Sequence, residues 1–393
     1  MKAKAPGALL CTAATLLAFT FAAFAAPPPQ TPEEKAAAEK AHAESMAAAE
    51  KIRSAIPLGG NFHPSPEEGI FVASGHGMNV VVSRDDGKTW QQVFTGGLGG
   101  DHGHWAVYDT VAYTKGVFAV GAGWGAPGTI IASDDGQNWR HLTAGSNAKK
   151  GSLPYDMPWM MQLIGVDGAF VMPLDATTDF GKTWFHTSSY GVSDADGKKG
   201  SVDIPHAVLA SGEHAGHKRV IVIGDKGPGA YSDDLGKTWV SMKVKAEPWE
   251  EGHQKGIIAK GNVFIIMKGN GKTVLRSTDG GMTWQSHPLG VERPAGRSYA
   301  LSIVKDEFWV TGKNSKASKD GITWRDLPAS TPQGRTSVSD KGTLINVLDS
   351  RPTILRSTDG EKWDVVHTFQ MAKGYGAGSR LSGVAFGKVR AVR

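Results

Sequence analysis

The stretch Ser83-Arg84-Asp85-Asp86-Gly87-Lys88-Thr89-Trp90 decides how the chain folds, because it recurs along the sequence. The full form, S/T-x-D-x-G-x-T-W, returns at Thr177–Trp184, Ser232–Trp239 and Ser277–Trp284. A form one residue shorter, S-x-D-G-x-x-W, occupies Ser133–Trp139, Ser318–Trp324 and Ser357–Trp363. The seven motif tryptophans are spaced 39 to 55 residues apart, a spacing typical of structural repeats.

The motif has a direct physical interpretation as a strand–turn–strand unit. Short β-branched runs such as 79–82 and 273–275 precede it and predict strands. Glycine supplies the positive φ that a tight turn needs, and aspartate can accept hydrogen bonds from backbone N–H groups within the turn. Tryptophan is large enough to pack between neighbouring sheets. We therefore favour a structural role for the motif carboxylates over catalysis or calcium binding.

The pattern resembles the Asp box, also called the BNR repeat, of sialidases, sortilin-type receptors and photosystem assembly propellers. The resemblance extends from about Gly69 to Trp363, which is most of the chain. It implies an all-β fold, a β-propeller. It does not imply one function, since these families perform different tasks on the same scaffold.

Three segments are predicted. Residues 1–25 resemble a secretory signal, with Lys2 and Lys4 before an apolar run and an A-x-A site at 23–25; an uncleaved anchor is the alternative. Residues 26–56 form a Pro-rich linker followed by an Ala/Glu-rich helix. Residues 57–393 form the propeller. The single cysteine, Cys11, lies in the signal segment, so no disulfide framework is expected.

The propeller segment has the length of seven four-stranded blades, at about 48 residues for each of seven motifs. Residues 381–386 and 389–392 have the pattern of an inner strand and its neighbour. The first motif is preceded by a clear second strand, 70–73, but by no clear inner strand. We expect the C-terminal strands to complete the first blade and close the ring; a partial eighth blade is the alternative.

Binding sites of propellers usually lie at the axial mouth, where the loops that lead into the inner strands meet. Seven quasi-equivalent positions open the inner strands, in blade order from the second: His104, Trp159 with Met160, His206, His253, Arg297, Arg335 and Arg380. Three guanidinium groups would thus come from adjacent blades. Crowded like charges are unfavourable unless an anion or nearby acids neutralise them.

Two interpretations of this arginine cluster remain open. In the first, Arg297, Arg335 and Arg380 bind an anionic ligand, because guanidinium groups bind carboxylate or phosphate in bidentate geometry. In the second, they are solvated and paired with acids; the candidates are Asp101, Asp156, Glu250 and Glu292.

Other polar and aromatic groups can be placed near the same mouth. His102 and His104 have the i, i+2 spacing that puts both on one face of a strand, so they and Asp101 are metal-ligand candidates. His76 lies between glycines in a second-to-third-strand loop. The side chains expected to stack on sugar rings are Trp105, Trp124 and Trp159. Packing between blades is the alternative for each of them.

Three functions fit these residues. A polysaccharide lyase acting on uronates has seven-bladed relatives; it would use Arg297, Arg335 and Arg380 to neutralise the carboxylate, a base among His104, His206 and His253, and Tyr299 or Tyr375 as the acid. A sialidase is the second, but its early arginine motif is missing, since the arginines before Arg219 are Arg53, Arg84 and Arg140. The third is a non-catalytic binding propeller, like the assembly factors.

We expect an exported, secreted or periplasmic, monomeric protein that binds an acidic polysaccharide or oligosaccharide, with the lyase favoured among the three functions. No cofactor is expected to be required, and a divalent metal is the alternative. The net charge is +5, and lysines lie in or beside the first-to-second-strand turns, on the face opposite the axial mouth. This pattern predicts association with anionic surfaces through that opposite face. No basic run interleaved with aromatic residues points to nucleic acid.

Overall fold

The computed structural model describes residues 31–33, 36–37, 40, 61–75, 79–94, 111–122, 129–142, 162–188, 192–200, 202, 207–224, 229–242, 256–267, 271–292, 300–348, 353–368 and 381–392. The predicted signal segment lies outside these residues. In the predicted helix, Pro32, Glu33, Ala36, Ala37 and Lys40 are described and have helical backbone. No helix in the described part of the chain is long and apolar enough to cross a membrane.

The described strands form seven four-stranded antiparallel sheets. Blade 1 contains β28 (Leu381–Val389), β1 (Glu68–Gly75), β2 (Asn79–Ser83) and β3 (Gln91–Phe94). Blade 2 contains β4 (Val111–Thr114), β5 (Val117–Ala122), β6 (Thr129–Ser133) and β7 (Arg140–His141). Blade 3 contains β8 (Ile164–Val166), β9 (Ala169–Met172), β10 (Asp175–Thr177) and β11 (Phe185–His186). Blade 4 contains β12 (Val208–His214), β13 (His217–Ile223), β14 (Gly229–Ser232) and β15 (Val240–Met242).

The remaining three blades follow the same order. Blade 5 contains β16 (Gly256–Lys260), β17 (Val263–Met267), β18 (Thr273–Ser277) and β19 (Gln285–Pro288). Blade 6 contains β20 (Ala300–Val304), β21 (Glu307–Thr311), β22 (Lys316–Ser318) and β23 (Arg325–Asp326). Blade 7 contains β24 (Arg335–Val338), β25 (Leu344–Val347), β26 (Thr353–Ser357) and β27 (Asp364–Thr368).

The innermost strands of the seven blades form a closed ring. Each contacts the first strands of both neighbouring blades, in the order β28, β4, β8, β12, β16, β20, β24 and back to β28. The C-terminal strand β28 pairs with β1 from Glu68↔Val389 to Gly75↔Leu381, so the C-terminus completes blade 1. The predicted all-β, seven-bladed propeller, closed by its C-terminal residues, is confirmed.

One part of the predicted closure is wrong. Residues 389–392 were expected to form a second strand beside the inner one, but β28 continues without a turn to Val389, and residues 390–392 are not a strand. The second position of blade 1 is already filled by β1, whose backbone groups pair with β28 on one side and β2 on the other. No edge is left there for another strand.

The seven turn motifs, numbered 1 to 7 in chain order, share one hydrogen-bonding pattern. In motif 1 the Ser83 hydroxyl donates to Asp85 Oδ1 at 2.9 Å and accepts from the Gly87 N–H at 2.9 Å. The Asp85 carboxylate also accepts from the Thr89 N–H at 2.9 Å and the Thr89 hydroxyl at 2.6 Å. The predicted use of aspartate and glycine within the turn is confirmed.

The long and short forms of the motif differ by one left-handed residue. Long motifs place two consecutive residues at positive φ; motif 1 uses Asp86 at 61° and Gly87 at 83°. Short motifs use one, such as Gly136 at 71° in motif 2. The serine hydroxyl therefore accepts from the fourth residue along in motif 1 and from the third in motif 2. The long turn accommodates the extra residue and keeps the hydrogen bond between the motif glycine N–H and the serine hydroxyl.

Each motif tryptophan packs between its own blade and the preceding one. There are seven hydrophobic clusters among the described residues, one at each interface between neighbouring blades, and each contains one motif tryptophan. Trp139 of blade 2, for example, packs with Ile70 and Val82 of blade 1. The prediction that these tryptophans lie between sheets is confirmed.

Candidate functional site

Of the residues predicted to form the site, only Arg335 is among those that the structure describes. The following lie outside the described residues: His76, Asp101, His102, His104, Trp105, Trp124, Trp159, His206, His253, Arg297, Tyr299, Tyr375 and Arg380. Their predicted roles therefore stay predictions, and we build the site from Arg335.

Arg335 opens the inner strand of blade 7, as expected, at the end of the strand that faces away from the turn motifs. It is the first residue of β24, is half-buried and pairs with Val347 of β25. The preceding residue must be glycine, because a Cβ at Gly334 would lie 2.1 Å from the Val347 carbonyl oxygen. The chain thus reaches Arg335 by a close approach of two backbones, which fixes where the strand begins.

A buried polar network holds the backbone on both sides of Arg335. The Thr336 N–H donates to the Ser302 hydroxyl of blade 6 at 2.9 Å, and the Thr311 hydroxyl of blade 6 donates to the Gly334 carbonyl at 2.9 Å. Asn346 Nδ2 donates to the Thr336 hydroxyl at 2.9 Å. Two neighbouring blades therefore position the opening of this strand together.

This network replaces apolar packing between the first two strands of blade 6 and those of blade 7. Ser302, Thr311, Thr336 and Asn346 are all buried, Asn346 completely. Asn346 Oδ1 has no hydrogen-bond partner among the described residues. Buried polar groups are favourable only when they are satisfied, and then they fix one geometry. Asn346 Oδ1, unpaired within the described part of the chain, costs some stability, whereas the hydrogen bonds that are made hold the backbone on both sides of Arg335 in place.

A carboxylate–imidazole pair lies on the same side of blade 3. Asp175 opens β10 directly after a tight turn and pairs with His186 of the outer strand β11. The His186 Nδ1 and Asp175 Oδ1 atoms are 2.6 Å apart. Burial raises the pKa of Asp175, although the hydrogen bond and charge of His186 act against this. The hydrogen bond to Asp175 raises the pKa of His186.

One proposed acidic partner of the arginines is engaged elsewhere. Glu292 Oε2 lies 2.9 Å from Lys313 Nζ in an exposed ion pair between blades 5 and 6. The other candidate acids, Asp101, Asp156 and Glu250, lie outside the described residues. Among the described residues no group of three His, Cys, Asp or Glu side chains is placed to hold a metal.

Several lysines of the opposite side, where the turn motifs lie, are paired. Lys218 contacts Glu213, Lys260 Nζ lies 3.4 Å from Asp306, and Lys388 Nζ lies 3.0 Å from Asp340. The positive potential that the sequence predicted for this side is therefore partly neutralised at these three positions.

Sequence reasoning missed His186 and the network around Arg335. Nothing in the local pattern marked Asp175 and His186, eleven positions apart, as partners. The network did leave a signal: Asn346 interrupts the apolar strand Leu344–Val347. A polar residue in an otherwise apolar central strand predicts a buried hydrogen bond.

The topology defines the protein as a seven-bladed β-propeller. Within it, residues 233–371 match the model of the DUF6242 beta propeller domain, about a third of the chain. Sequence comparison with curated proteins finds no match.

Solved structures of similar fold belong to proteins with different roles. The GH74 xyloglucanase from Xanthomonas campestris is 14% identical over 77% of this chain and 53% of its own, with a TM-score of 0.51. YCF48 bound to D1 peptide is 13% identical, covers 86% of this chain and 99% of its own, and has a TM-score of 0.43. AztD from Citrobacter koseri is 13% identical over 82% of this chain and 99% of its own, with a TM-score of 0.44. Likeness at this level of identity concerns the fold alone.

Proposed function

We propose that this protein binds an acidic, uronate-containing glycan at the mouth of its axial channel and cleaves it as a polysaccharide lyase, by β-elimination. The observation that carries the proposal is the fixed position of Arg335. Two blades use four buried polar side chains to hold the residues beside it. Such positioning is expected of a side chain that must meet a ligand in one geometry.

The neighbouring blades supply further arginines in sequence. Arg380 directly precedes Leu381, the first residue of β28, and Arg297 lies three residues before Ala300, the first residue of β20. Inner strand β24 contacts both of these strands. In the proposed site the three guanidinium groups neutralise the uronate carboxylate, which makes the C5 proton beside it acidic enough to remove.

Imidazole and phenol groups would carry the proton transfers. A base among His104, His206 and His253 takes the C5 proton, and Tyr299 or Tyr375 protonates the oxygen that leaves C4. The bond between C4 and this oxygen breaks as the electron pair of the C5–H bond forms a C4–C5 double bond. Trp105, Trp124 and Trp159 are the proposed stacking surfaces for the sugar rings.

The proposed location, oligomeric state and cofactor requirement rest on the sequence. The signal-like segment at 1–25 supports export, where such polymers are met. We propose that the protein acts as a monomer on soluble glycan and that the reaction needs no cofactor. A divalent ion held by Asp101, His102 and His104 is an alternative means of neutralising the carboxylate.

The test is an absorbance assay on a panel of uronate-containing polysaccharides, in which ultraviolet absorbance reports the new C4–C5 double bond. We expect a rise with at least one polymer, and its loss in Arg335→Ala. An Arg335→Lys variant should recover only part of the activity, because an ammonium cannot bind a carboxylate in bidentate fashion. A panel that binds the protein without any rise would leave a binding propeller and refute the lyase.

A further inference from the structure

The two ends of the propeller segment meet on the side of the turn motifs, at motif 2 of blade 2. From the N-terminal side, the His63 N–H donates to Asp134 Oδ2 at 2.6 Å. From the C-terminal side, Arg390 Nη2 lies 2.9 Å from Asp135 Oδ2 and 3.2 Å from Asp134 Oδ1. The backbone N–H of Arg390 also donates to the Asp134 carbonyl. Motif 2 is thus the anchor of both segments.

A cleft of about 360 Å³ lies where these segments meet. Its walls include Asn61 before β1, Phe94 of β3, and Gln137 and Trp139 of motif 2. A second hollow of about 140 Å³ shares the side chains of Val93 and Gln137 with it. The volume of the larger cleft is at the low end of the range for small-molecule sites, about 300–1,000 Å³.

Motif 2 departs from the repeat at this cleft. Four motif tryptophans (Trp90, Trp239, Trp284 and Trp363) donate their indole N–H to the carbonyl of their own motif glycine. Trp139 has no such bond: its Nε1 atom is buried and has no acceptor among the described residues. Trp184 and Trp324 share this feature, but neither lines the two hollows.

The charges around the cleft balance. Burial acts to raise the pKa of Asp135, but hydrogen bonds from Asn138, the Gln137 N–H and Ser133 outweigh it, so the pKa is lowered and the carboxylate stays ionised. Two carboxylates, Asp134 and Asp135, therefore face two guanidinium groups, Arg140 and Arg390. The acids already accept hydrogen bonds from within the protein, and the two negative and two positive formal charges cancel, so the cleft presents no net charge to a ligand.

We propose that this cleft binds a neutral saccharide ring. Its amide side chains, Asn61, Gln137 and Asn138, can each donate to and accept from hydroxyl groups, and Phe94 and Trp139 supply an aromatic wall. The site is on the opposite side of the propeller from Arg335, and it rests on different residues from the acidic-glycan site proposed above.

Ligand binding in this cleft would also stabilise the closed ring of blades. The walls come from the segment before β1, from blade 1, from blade 2 and from Arg390 after β28. A ligand that bridges them binds the closed ring and not the unfolded chain, so it raises the melting temperature, and the rise grows with the ratio of free ligand concentration to Kd.

The experiment measures binding of neutral monosaccharides (glucose, galactose, mannose, xylose and N-acetylglucosamine) and of glucuronate and galacturonate, by ligand-observed NMR and by thermal shift. The test variant is Gln137→Trp, in which a bulky side chain at an exposed position fills the cleft. Glu361→Trp is the matched control, since Glu361 holds the equivalent position of motif 7 and is exposed. In both motifs only the backbone N–H of this residue takes part in the turn.

We expect at least one neutral sugar to bind wild type, Glu361→Trp and Arg335→Ala alike, and to bind Gln137→Trp at least about tenfold more weakly. The rise in melting temperature that the sugar causes in wild type should disappear in Gln137→Trp. Absence of binding by every neutral sugar would overturn the proposal, as would equal binding by Gln137→Trp and Glu361→Trp. Binding of uronates alone that persists in Arg335→Ala and is lost in Gln137→Trp would show a charged ligand and overturn it too. Loss of lyase activity or uronate binding in Arg335→Ala leaves this cleft unaffected.

Discussion

The two sides of the propeller are built on different rules. On the motif side, the same serine, aspartate and glycine contacts repeat from blade to blade, as in motif 1 and motif 4. Four of the seven motif tryptophans also donate their indole N–H to the motif glycine. On the side of Arg335, the described polar contacts differ between blades: a Ser–Thr–Asn network between blades 6 and 7, and an Asp–His pair in blade 3. Repetition serves the fold, and we propose that function resides at the contacts that do not repeat.

Acid should unfold the motif side, and this is the largest expected effect. Burial acts to raise the pKa values of five motif aspartates (Asp85, Asp135, Asp179, Asp234 and Asp279), but hydrogen bonds within the turns together outweigh it. With Asp320 and Asp359, where turn hydrogen bonds dominate, all seven motif aspartates have pKa values below the usual 3.8. A lowered folded-state pKa gives stability that is present above pH 3.8 and lost as the pH falls from there through the folded-state values. We expect the melting temperature to fall steeply below about pH 4.

The matched variants for this prediction are Asp234→Asn in motif 4 and Asp364→Asn, an exposed aspartate outside the motifs. Asp234→Asn should lower stability at neutral pH and flatten the acid limb of the melting curve. Asp364→Asn should leave both unchanged. A melting temperature that stays constant down to pH 2 in wild type would contradict the role assigned to the motif carboxylates.

Removing one motif tryptophan should have the next largest effect. Trp284 is buried at the interface of blades 4 and 5, and its indole N–H donates to the Gly281 carbonyl at 2.8 Å. Trp284→Ala should lower the free energy of unfolding by about 3–5 kcal/mol, as large-to-small changes in cores do. Denaturant titration measures this, with Val365→Ala as a control because Val365 is 60% exposed. A cost below about 1 kcal/mol would mean that the interface does not depend on the tryptophan.

Thr336→Val tests the mouth side with a smaller cost. The change keeps the shape but removes the acceptor of Asn346 Nδ2, which is buried, so we expect a loss of about 1–3 kcal/mol. It should also weaken uronate binding, because the backbone beside Arg335 loses a support. Ser337→Ala, at the next position and on the other face of the strand, is the control for both measurements. Unchanged uronate affinity in Thr336→Val would show that the polar network does not support uronate binding.

The smallest effect is a titration shift. Because Asp175 raises the pKa of His186, while burial lowers the pKa of His367, His186 should titrate at the higher pH in an NMR experiment. The raised pKa contributes stability that is fully present below pH 6.5 and is lost as the pH rises through the folded-state pKa of His186. In Asp175→Asn the imidazole should titrate lower than in wild type. An unchanged His186 titration in that variant would refute the pair.

The fold could be predicted from the sequence because the contacts of the motif join residues that are close together in the chain. Ser83, Asp85, Gly87 and Trp90 lie within eight residues, so their hydrogen bonds are visible as a spacing. The closure by the C-terminus also followed, since blade 1 had no inner strand of its own. The end of β28 did not, because whether a strand turns or continues at Val389 depends on which edges are already paired.

The candidate site was readable only in part. Arg335 was found because its position repeats relative to the inner strands. The polar groups that hold it come from positions up to 44 residues apart, Ser302 to Asn346, and meet only through the packing of two blades. His186 was missed because its partner Asp175 lies on the neighbouring strand of the same blade, and only the pairing of the two strands brings the side chains together.

The most direct test of the central claim, that Arg335 on the mouth side binds a carboxylate, is calorimetric titration of uronate oligosaccharides into wild type, Arg335→Ala and Arg325→Ala. Arg325 is the matched control: it follows motif 6 on the other side of the propeller, is 55% exposed and pairs with Glu307. We expect Arg335→Ala to bind at least about tenfold more weakly, the loss of one charge-assisted contact, and Arg325→Ala to bind as wild type does. Equal affinity of Arg335→Ala and wild type would contradict the claim.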